Sequence, residues 1–200
     1  MPRTLTRLAP LTIALLLTSA PTRAGEGYRV EGTMHDGFPS IAGRVAILPP
    51  RAPGELEQAW IERKLAGQKD MRPKAPLVSL RDVQAAIARL GIDPYEPANR
   101  GPLATELGVD SFLEIQISDL ATSKPSQVNA PEGGMMLGKA EKGVAQAKVS
   151  FRIVPAESGA AWFELTADGT QLAKKKGIQP IVADMLDKLF ERAYPARRYR

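Results

Sequence analysis

An alternation of apolar and polar residues over positions 145–153 is the feature that most restricts what this chain can fold into. Successive side chains of a strand point to opposite faces, so this pattern predicts a strand with one buried face. Positions 155–159 contain proline and glycine and predict a turn, and positions 160–165 predict the returning strand. The chain is therefore expected to contain an antiparallel hairpin, and its fold must include a sheet.

Shorter patterns upstream predict further strands. Positions 44–48 form a nearly continuous apolar run that ends at two prolines, which is typical of a buried strand because proline cannot donate to a sheet. Positions 113–117 alternate again and predict a strand with one buried face. In the glycine-rich segment 25–42, a brief edge strand over 28–30 is the only regular element expected.

Helix signals occur between these strands and at the end of the chain. Ser79 and Asp82 form a capping pattern, apolar residues then recur at helical spacing, and Gly91 supplies a left-handed stop. Pro102 is typical of a first helical position, in a short helix that ends at Gly108. The remaining assignments are a helix over 54–66, a polar connection over 68–76 and an amphipathic helix that begins at Pro180.

Together these elements predict the α/β (α+β) class. Helices that bridge the first strands, followed by an antiparallel hairpin, imply a single mixed sheet of about four to five strands with helices packed on it. No internal repeat divides the sequence. The expected organisation is a signal peptide over 1–24, an irregular amino-terminal segment over 25–42, a single α/β domain over 43–192 and a basic tail over 193–200.

The amino terminus has the form of a secretory signal. Two arginines precede an apolar run over positions 8–17, which is shorter than the roughly 20 residues of a membrane-spanning helix. Thr22 and Ala24 stand at the two positions where signal peptidase selects small side chains, which predicts cleavage after Ala24. The mature chain is expected in the periplasm or outside the cell, without a transmembrane segment.

Composition and charge narrow the classes of partner. The chain has no cysteine, which excludes disulfides and the lipid-bearing residue of a bacterial lipoprotein, so lipid anchoring is not expected. The formal charge of +5 includes three arginines of the predicted signal, and removing these three leaves +2. Much of this charge lies in the tail, so a basic face for nucleic acid is not expected. The tail either contacts anionic lipid or polymer, or is a solvated terminus.

Few residues offer catalytic or cofactor chemistry. The only histidine, His35, lies in an irregular stretch and is expected to be solvated. One histidine and no cysteine cannot supply a zinc site, and no glycine-rich loop joins a strand to a helix. Glu114 and Glu164 on predicted strands are candidate carboxylates for a hydrolase, but such residues are also common on the wet face of a sheet. No catalytic, cofactor-binding or metal-binding residue is predicted.

Two places are candidates for contact with a partner. The segment 123–143 lacks periodicity and predicts a long mobile loop, in which Met135, Met136 and Leu137 either form an adaptable apolar contact for a partner or are disordered. Trp162 either packs at the edge of the sheet or stacks on a sugar or a partner protein.

Four segments resemble a superfamily of bacterial envelope proteins. It includes the curli secretion lipoprotein, the TolB amino-terminal domain, lipoprotein activators of peptidoglycan synthases and related uncharacterised putative lipoproteins. The similar segments are the strand at 44–50, the helix end at 88–92, the helix and turn at 103–113, and the hairpin at 149–162.

This resemblance implies a fold like the TolB amino-terminal domain and a non-enzymatic periplasmic accessory that binds other envelope components of assembly, secretion or cell-wall machinery. Homo-oligomerisation is left open. The sequence departs from the superfamily in lacking the lipid-bearing cysteine, and the segment 123–143 lacks the alternation of a pore-forming hairpin. Two other functions remain as alternatives: a small envelope hydrolase that uses carboxylates, and a module that binds lipid or cell-wall fragments beside Trp162.

Overall fold

A computed structural model describes residues 27–54, 56–123, 144–157, 160–172 and 178–200 of the chain. The predicted signal peptide and its cleavage site lie outside the described residues. So do all but the first residue of the predicted loop 123–143 and the contact residues Met135, Met136 and Leu137.

The described residues form one six-stranded sheet in the order β1-β6-β5-β4-β2-β3. Its strands are β1 (Gly27–Met34), β2 (Val45–Ile47), β3 (Leu77–Val78), β4 (Ser111–Ser123), β5 (Val144–Pro155) and β6 (Phe163–Leu172). β2 is parallel to β3 and β4, and the other pairs are antiparallel. The predicted mixed sheet is confirmed, whereas the expected number of about four to five strands is wrong, because the sheet has six.

The edges of the sheet are β1, for which the sequence predicts only a brief edge strand over 28–30, and β3, which the sequence does not predict. β1 occupies a segment expected to be mostly irregular, and all eight of its residues pair with β6, from Gly27 opposite Thr170 to Met34 opposite Phe163. β3 has two residues and pairs with β2. The predicted edge strand over 28–30 is confirmed and is longer than expected, whereas β3 is too short for a recognisable local pattern and is defined by a partner distant in sequence.

Four helices pack on the sheet in the part of the chain that the structure describes. They are α1 (Gln58–Asp70), α2 (Leu80–Leu90), α3 (Pro97–Leu107) and α4 (Gln179–Ala193). The Ser79 hydroxyl caps α2 by accepting from the amide of Asp82 at 3.2 Å, as the capping pattern predicts. α3 begins at Pro97, so the prediction that Pro102 opens it is wrong. Pro97 occupies the first helical position. Proline is accommodated there because the backbone amide that it lacks would have no acceptor within the helix.

The helices cover the sheet unequally. α1 and α4 pack on one face, where the main core contains the apolar side chains of β4, β5 and β6. α2 and α3 bury a smaller cluster on the opposite face, around Phe112 and Val154. Among the described residues, none of these helices is long and apolar enough to cross a membrane.

The carboxyl-terminal segment is partly built into the main core. Tyr194 is fully buried, its ring makes edge contacts with Phe38 and Tyr199, and Phe38 stacks on Phe163. The alternative of a wholly solvated terminus is therefore wrong for residues 193–200, because Tyr194 and Tyr199 pack against the main core and fix this segment to it. Arg197, Arg198 and Arg200 of the tail are exposed.

Candidate functional site

A surface groove of about 770 Å³ lies beside Trp162, at the end of the sheet where β5 is connected to β6. One wall is formed by the end of α3 and the turn that follows it. The other is formed by the β5–β6 connection, with Ala156 and Glu157, and by the short 3-10 turn that carries Ile41.

Two backbone hydrogen bonds, one to β5 and one from the residue after β1, fix the backbone of Trp162. Its amide donates to the carbonyl of Ile153 on β5 at 2.8 Å, and its carbonyl accepts from the amide of His35 at 2.8 Å. The bond from His35 extends the β1–β6 ladder by one residue, whereas the other bond joins Trp162 to Ile153, which already pairs with Phe163. The side chain is half-buried and packs against the main core. The groove therefore has an aromatic wall that is positioned before any partner arrives.

Asp110 fixes the opposite wall. Its carboxylate accepts from the amide of Arg44 at 2.7 Å, and its own amide donates to the carbonyl of Arg44 at 2.8 Å. Gly43 has a φ of 57°, and a β-carbon there would overlap the Asp110 carboxylate. The segment Gly108-Val109-Asp110, which lies within the motif at 103–113, therefore joins the end of α3 to the start of β2.

One exposed large apolar side chain, that of Ile41, lines this groove. Four large apolar residues of the described chain are more than a third exposed, at positions Met34, Ile41, Met71 and Leu90. Ile41 lines the groove, and Met34 ends β1 opposite Phe163, the residue next to Trp162. Asp110 and Glu157, both exposed, give the same groove an acidic rim. The site thus combines apolar surface with negative charge.

The carboxylates proposed for a hydrolase lie elsewhere, on the face of β4, β5 and β6 opposite the main core. Glu114 is mostly buried, and its two oxygens pair with Arg100 at 2.6 Å and Arg152 at 3.4 Å. Arg152 also lies 3.6 Å from the carboxylate of Glu164. Each oxygen of Glu114 faces a guanidinium group, one from α3 and one from β5, so this carboxylate is an ion-pair partner in the structure. This arrangement holds neighbouring strands together.

His35 is exposed, as the sequence predicts, and its Nδ1 lies 2.6 Å from the carbonyl oxygen of Asp36. Three or more potential metal-binding side chains do not come together anywhere in the described residues.

Of the residues singled out from the sequence, Trp162 lies in the groove. Ile41, Asp110 and Glu157 were not predicted to belong to a site. Asp110 lies within a segment that resembles the superfamily, which is the one signal that could have indicated it. Glu157 lies in the predicted turn 155–159, within the similar segment 149–162, whereas Ile41 carries no local pattern and only the fold brings it to the groove.

No protein-family model matches the sequence, and no curated protein matches it either. Among solved structures, the chain is similar to a PelC dodecamer from Paraburkholderia phytofirmans, with 11% identity over 86% of this chain and 99% of that chain and a TM-score of 0.47. Lipoprotein GNA1162 from Neisseria meningitidis has 12% identity over 74% of this chain and 97% of that chain, with a TM-score of 0.47.

A third similar structure is the hypothetical protein CT253 from Chlamydia trachomatis, with 14% identity over 76% of this chain and 92% of that chain and a TM-score of 0.40. One of the three is a lipoprotein by name. A likeness at these identities and TM-scores gives this chain no activity, partner or oligomeric state.

Proposed function

We propose that this protein is a non-enzymatic accessory of the bacterial envelope that binds another envelope protein through the groove beside Trp162. The observation that carries the proposal is a half-buried tryptophan, fixed by backbone hydrogen bonds, in a groove that the exposed side chain of Ile41 also lines. The predicted signal peptide supports a periplasmic location, and the four similar segments support a fold like the TolB amino-terminal domain.

A groove of this kind suits binding for two physical reasons. Buried aromatic side chains contribute much of the binding energy of protein interfaces, because they offer large apolar area with few rotatable bonds. Trp162 is held in place by its neighbours, so little conformational freedom is lost when a partner binds. The acidic rim of Asp110 and Glu157 favours a partner segment that has an apolar anchor next to a lysine or arginine.

Site-specific crosslinking tests the proposal. A photoreactive residue is placed at Ile41 in the groove, and at Met71 as a matched control that is equally apolar and exposed but does not line the groove. We expect Ile41 to capture a specific envelope protein that Met71 does not, and Trp162→Ala to remove that product. Identical products from both positions, or no product together with measurable hydrolytic turnover, would contradict the proposal.

A second function, binding of lipid or cell-wall fragments, is favoured by the size of the same groove, since ligand pockets are about 300–1,000 Å³. The chain has two tryptophans, so Trp60→Phe leaves Trp162 as the only indole reporter. A fragment that binds in the groove is expected to change the emission of this variant in a saturable way. Emission that stays constant across a screen of lipids and glycan fragments removes this alternative.

A further inference from the structure

β1 forms one edge of the sheet and offers a long free strand. Within the described residues only β6 pairs with it, and their register is continuous over eight residues. The strand contains no proline, and its two charged residues, Arg29 and Glu31, have opposite signs, so they protect the edge less than like charges would. Such an edge is a template for another strand.

The hydrogen-bonding pattern shows which residues of β1 face outward. The amide of His35 donates to the carbonyl of Trp162, its partner by register, so odd-numbered residues of β1 direct their backbone groups toward β6. The backbone groups of Tyr28, Val30, Gly32 and Met34 therefore point to the free edge.

We propose that two copies of this chain pair through β1 in an antiparallel, two-fold arrangement centred on Val30. In this register Val30 of one copy lies opposite Val30 of the other, and Tyr28 lies opposite Gly32. Arg29 lies opposite Glu31 of the second copy, and the symmetry repeats this pair. The two sheets then form one continuous sheet.

Charge selects this register among those that the backbone allows. Outward-facing residues must pair with outward-facing residues, so the two-fold axis passes through a residue position. A centre at position 29 places Arg29 opposite Arg29, and a centre at position 31 places Glu31 opposite Glu31. Directly opposed like charges destabilise a sheet, whereas the centre at Val30 forms two pairs of opposite charge. Arg29 and Glu31 form an ion pair within one copy, and because both are more than half exposed, each can exchange this partner for its counterpart in the second copy.

Tyr28 and Gly32 support the same register. Both lie on the face of β1 that carries Val30, and Gly32 leaves an uncovered stretch of backbone because it has no side chain. The Tyr28 hydroxyl donates to the carboxylate of Asp184 at 2.7 Å, which fixes the ring at the edge of the sheet. In the paired state each ring covers the glycine of the other copy, a contact that compensates for glycine in a strand.

Disulfide trapping tests the register, because the natural chain has no cysteine. Residues 29 and 31 of opposite copies form non-hydrogen-bonded pairs with α-carbons about 4.5 Å apart, within the range of a disulfide. Arg29→Cys and Glu31→Cys chains are each oxidised alone and then as a mixture. We expect a crosslinked dimer in the mixture and little in either chain alone. A mixture of Thr33→Cys and Glu31→Cys chains is the matched control and should not crosslink.

Sedimentation equilibrium tests the charge argument. Arg29→Glu replaces both opposite-charge pairs with like-charge pairs and is expected to weaken self-association at least about tenfold. The double variant R29E/E31R restores the pairs and should restore association, and circular dichroism checks that each variant is folded. A natural chain that stays monomeric at about 1 mM would overturn the proposal. So would crosslinking of Glu31→Cys chains alone, or association that R29E leaves unchanged.

Discussion

The guanidinium group of Arg72 donates to the backbone carbonyl of Tyr194 and joins the end of α1 to the end of α4. Arg72 is only 2% exposed, and it also donates to Gln68 Oε1 at 2.7 Å and to the carboxylate of Glu191 at 3.1 Å. The side-chain amide nitrogen of Gln68, Nε2, in turn donates to the carboxylate of Asp187 on α4. This buried polar network holds the carboxyl-terminal segment against the main core.

Replacing Arg72 with Met is therefore expected to lower the free energy of unfolding by about 3 kcal/mol, because buried acceptors lose their donor. Urea denaturation measures the change. Arg89→Met is the control, since Arg89 pairs with Glu106 at the surface and its loss should change stability by about 0–1 kcal/mol. Equal effects of the two substitutions would mean that the Arg72 network does not stabilise the fold.

Gly32→Ala and Gly67→Ala are expected to change stability in opposite directions. Gly32 has a φ of 154°, and a β-carbon there would overlap the backbone carbonyl of Glu164, so alanine must separate β1 from β6. Gly67 lies inside α1 with open space around it, and alanine there should stabilise the helix by about 0.5–1 kcal/mol. Thermal unfolding of both variants tests this, and a Gly32→Ala protein as stable as the natural one would contradict it.

Asp110→Ala is expected to loosen the groove. The amide of Arg44 loses its carboxylate acceptor, which corresponds to about 1–2 kcal/mol of stability, and the wall opposite Trp162 is no longer fixed. Most of the protein should remain folded, whereas the yield of the crosslinked product from position 41 should fall clearly. Asp110→Asn keeps an acceptor oxygen and is the control. If capture is unchanged in the alanine variant, Asp110 has no part in positioning the groove.

Stability is expected to fall as the pH rises above about 10. Burial raises the pKa of Tyr95 from 10.0 to about 12, and burial also raises the pKa values of Tyr28 and Tyr194. Above pH 10 these phenols ionise in the unfolded chain while they stay neutral in the folded one, which favours unfolding. The contribution of the three neutral phenols to the free energy of unfolding is complete below about pH 10 and is lost as the pH rises through their folded-state pKa values.

Urea denaturation between pH 9 and 12 measures this slope. Tyr95→Phe should reduce the slope of stability against pH, because it removes one phenol whose pKa is raised in the folded state. The substitution also removes the hydrogen bond from the Tyr95 hydroxyl to the Pro49 carbonyl. A stability that does not depend on pH over this range would show that the three phenols are not protected in the folded state.

Local patterns in the sequence determined the elements whose stabilising interactions are close along the chain. The alternation over 145–153 corresponds to β5, because each side chain there takes its face from its own position in the strand. The same holds for α2, whose cap at Ser79 and stop at Gly91 act within one helical turn. Features of this kind are readable without a structure.

Only the tertiary structure decided how distant segments meet. β1 and β3 exist because strands elsewhere in the chain pair with them, and Tyr194 is buried because Phe38 and Arg72 come to it. Glu114 is an ion-pair partner because Arg100 and Arg152 converge on it. The groove beside Trp162 and the free edge of β1 arise in the same way. Long-range contacts depend on the register and layering of the whole sheet, which no short window of residues encodes.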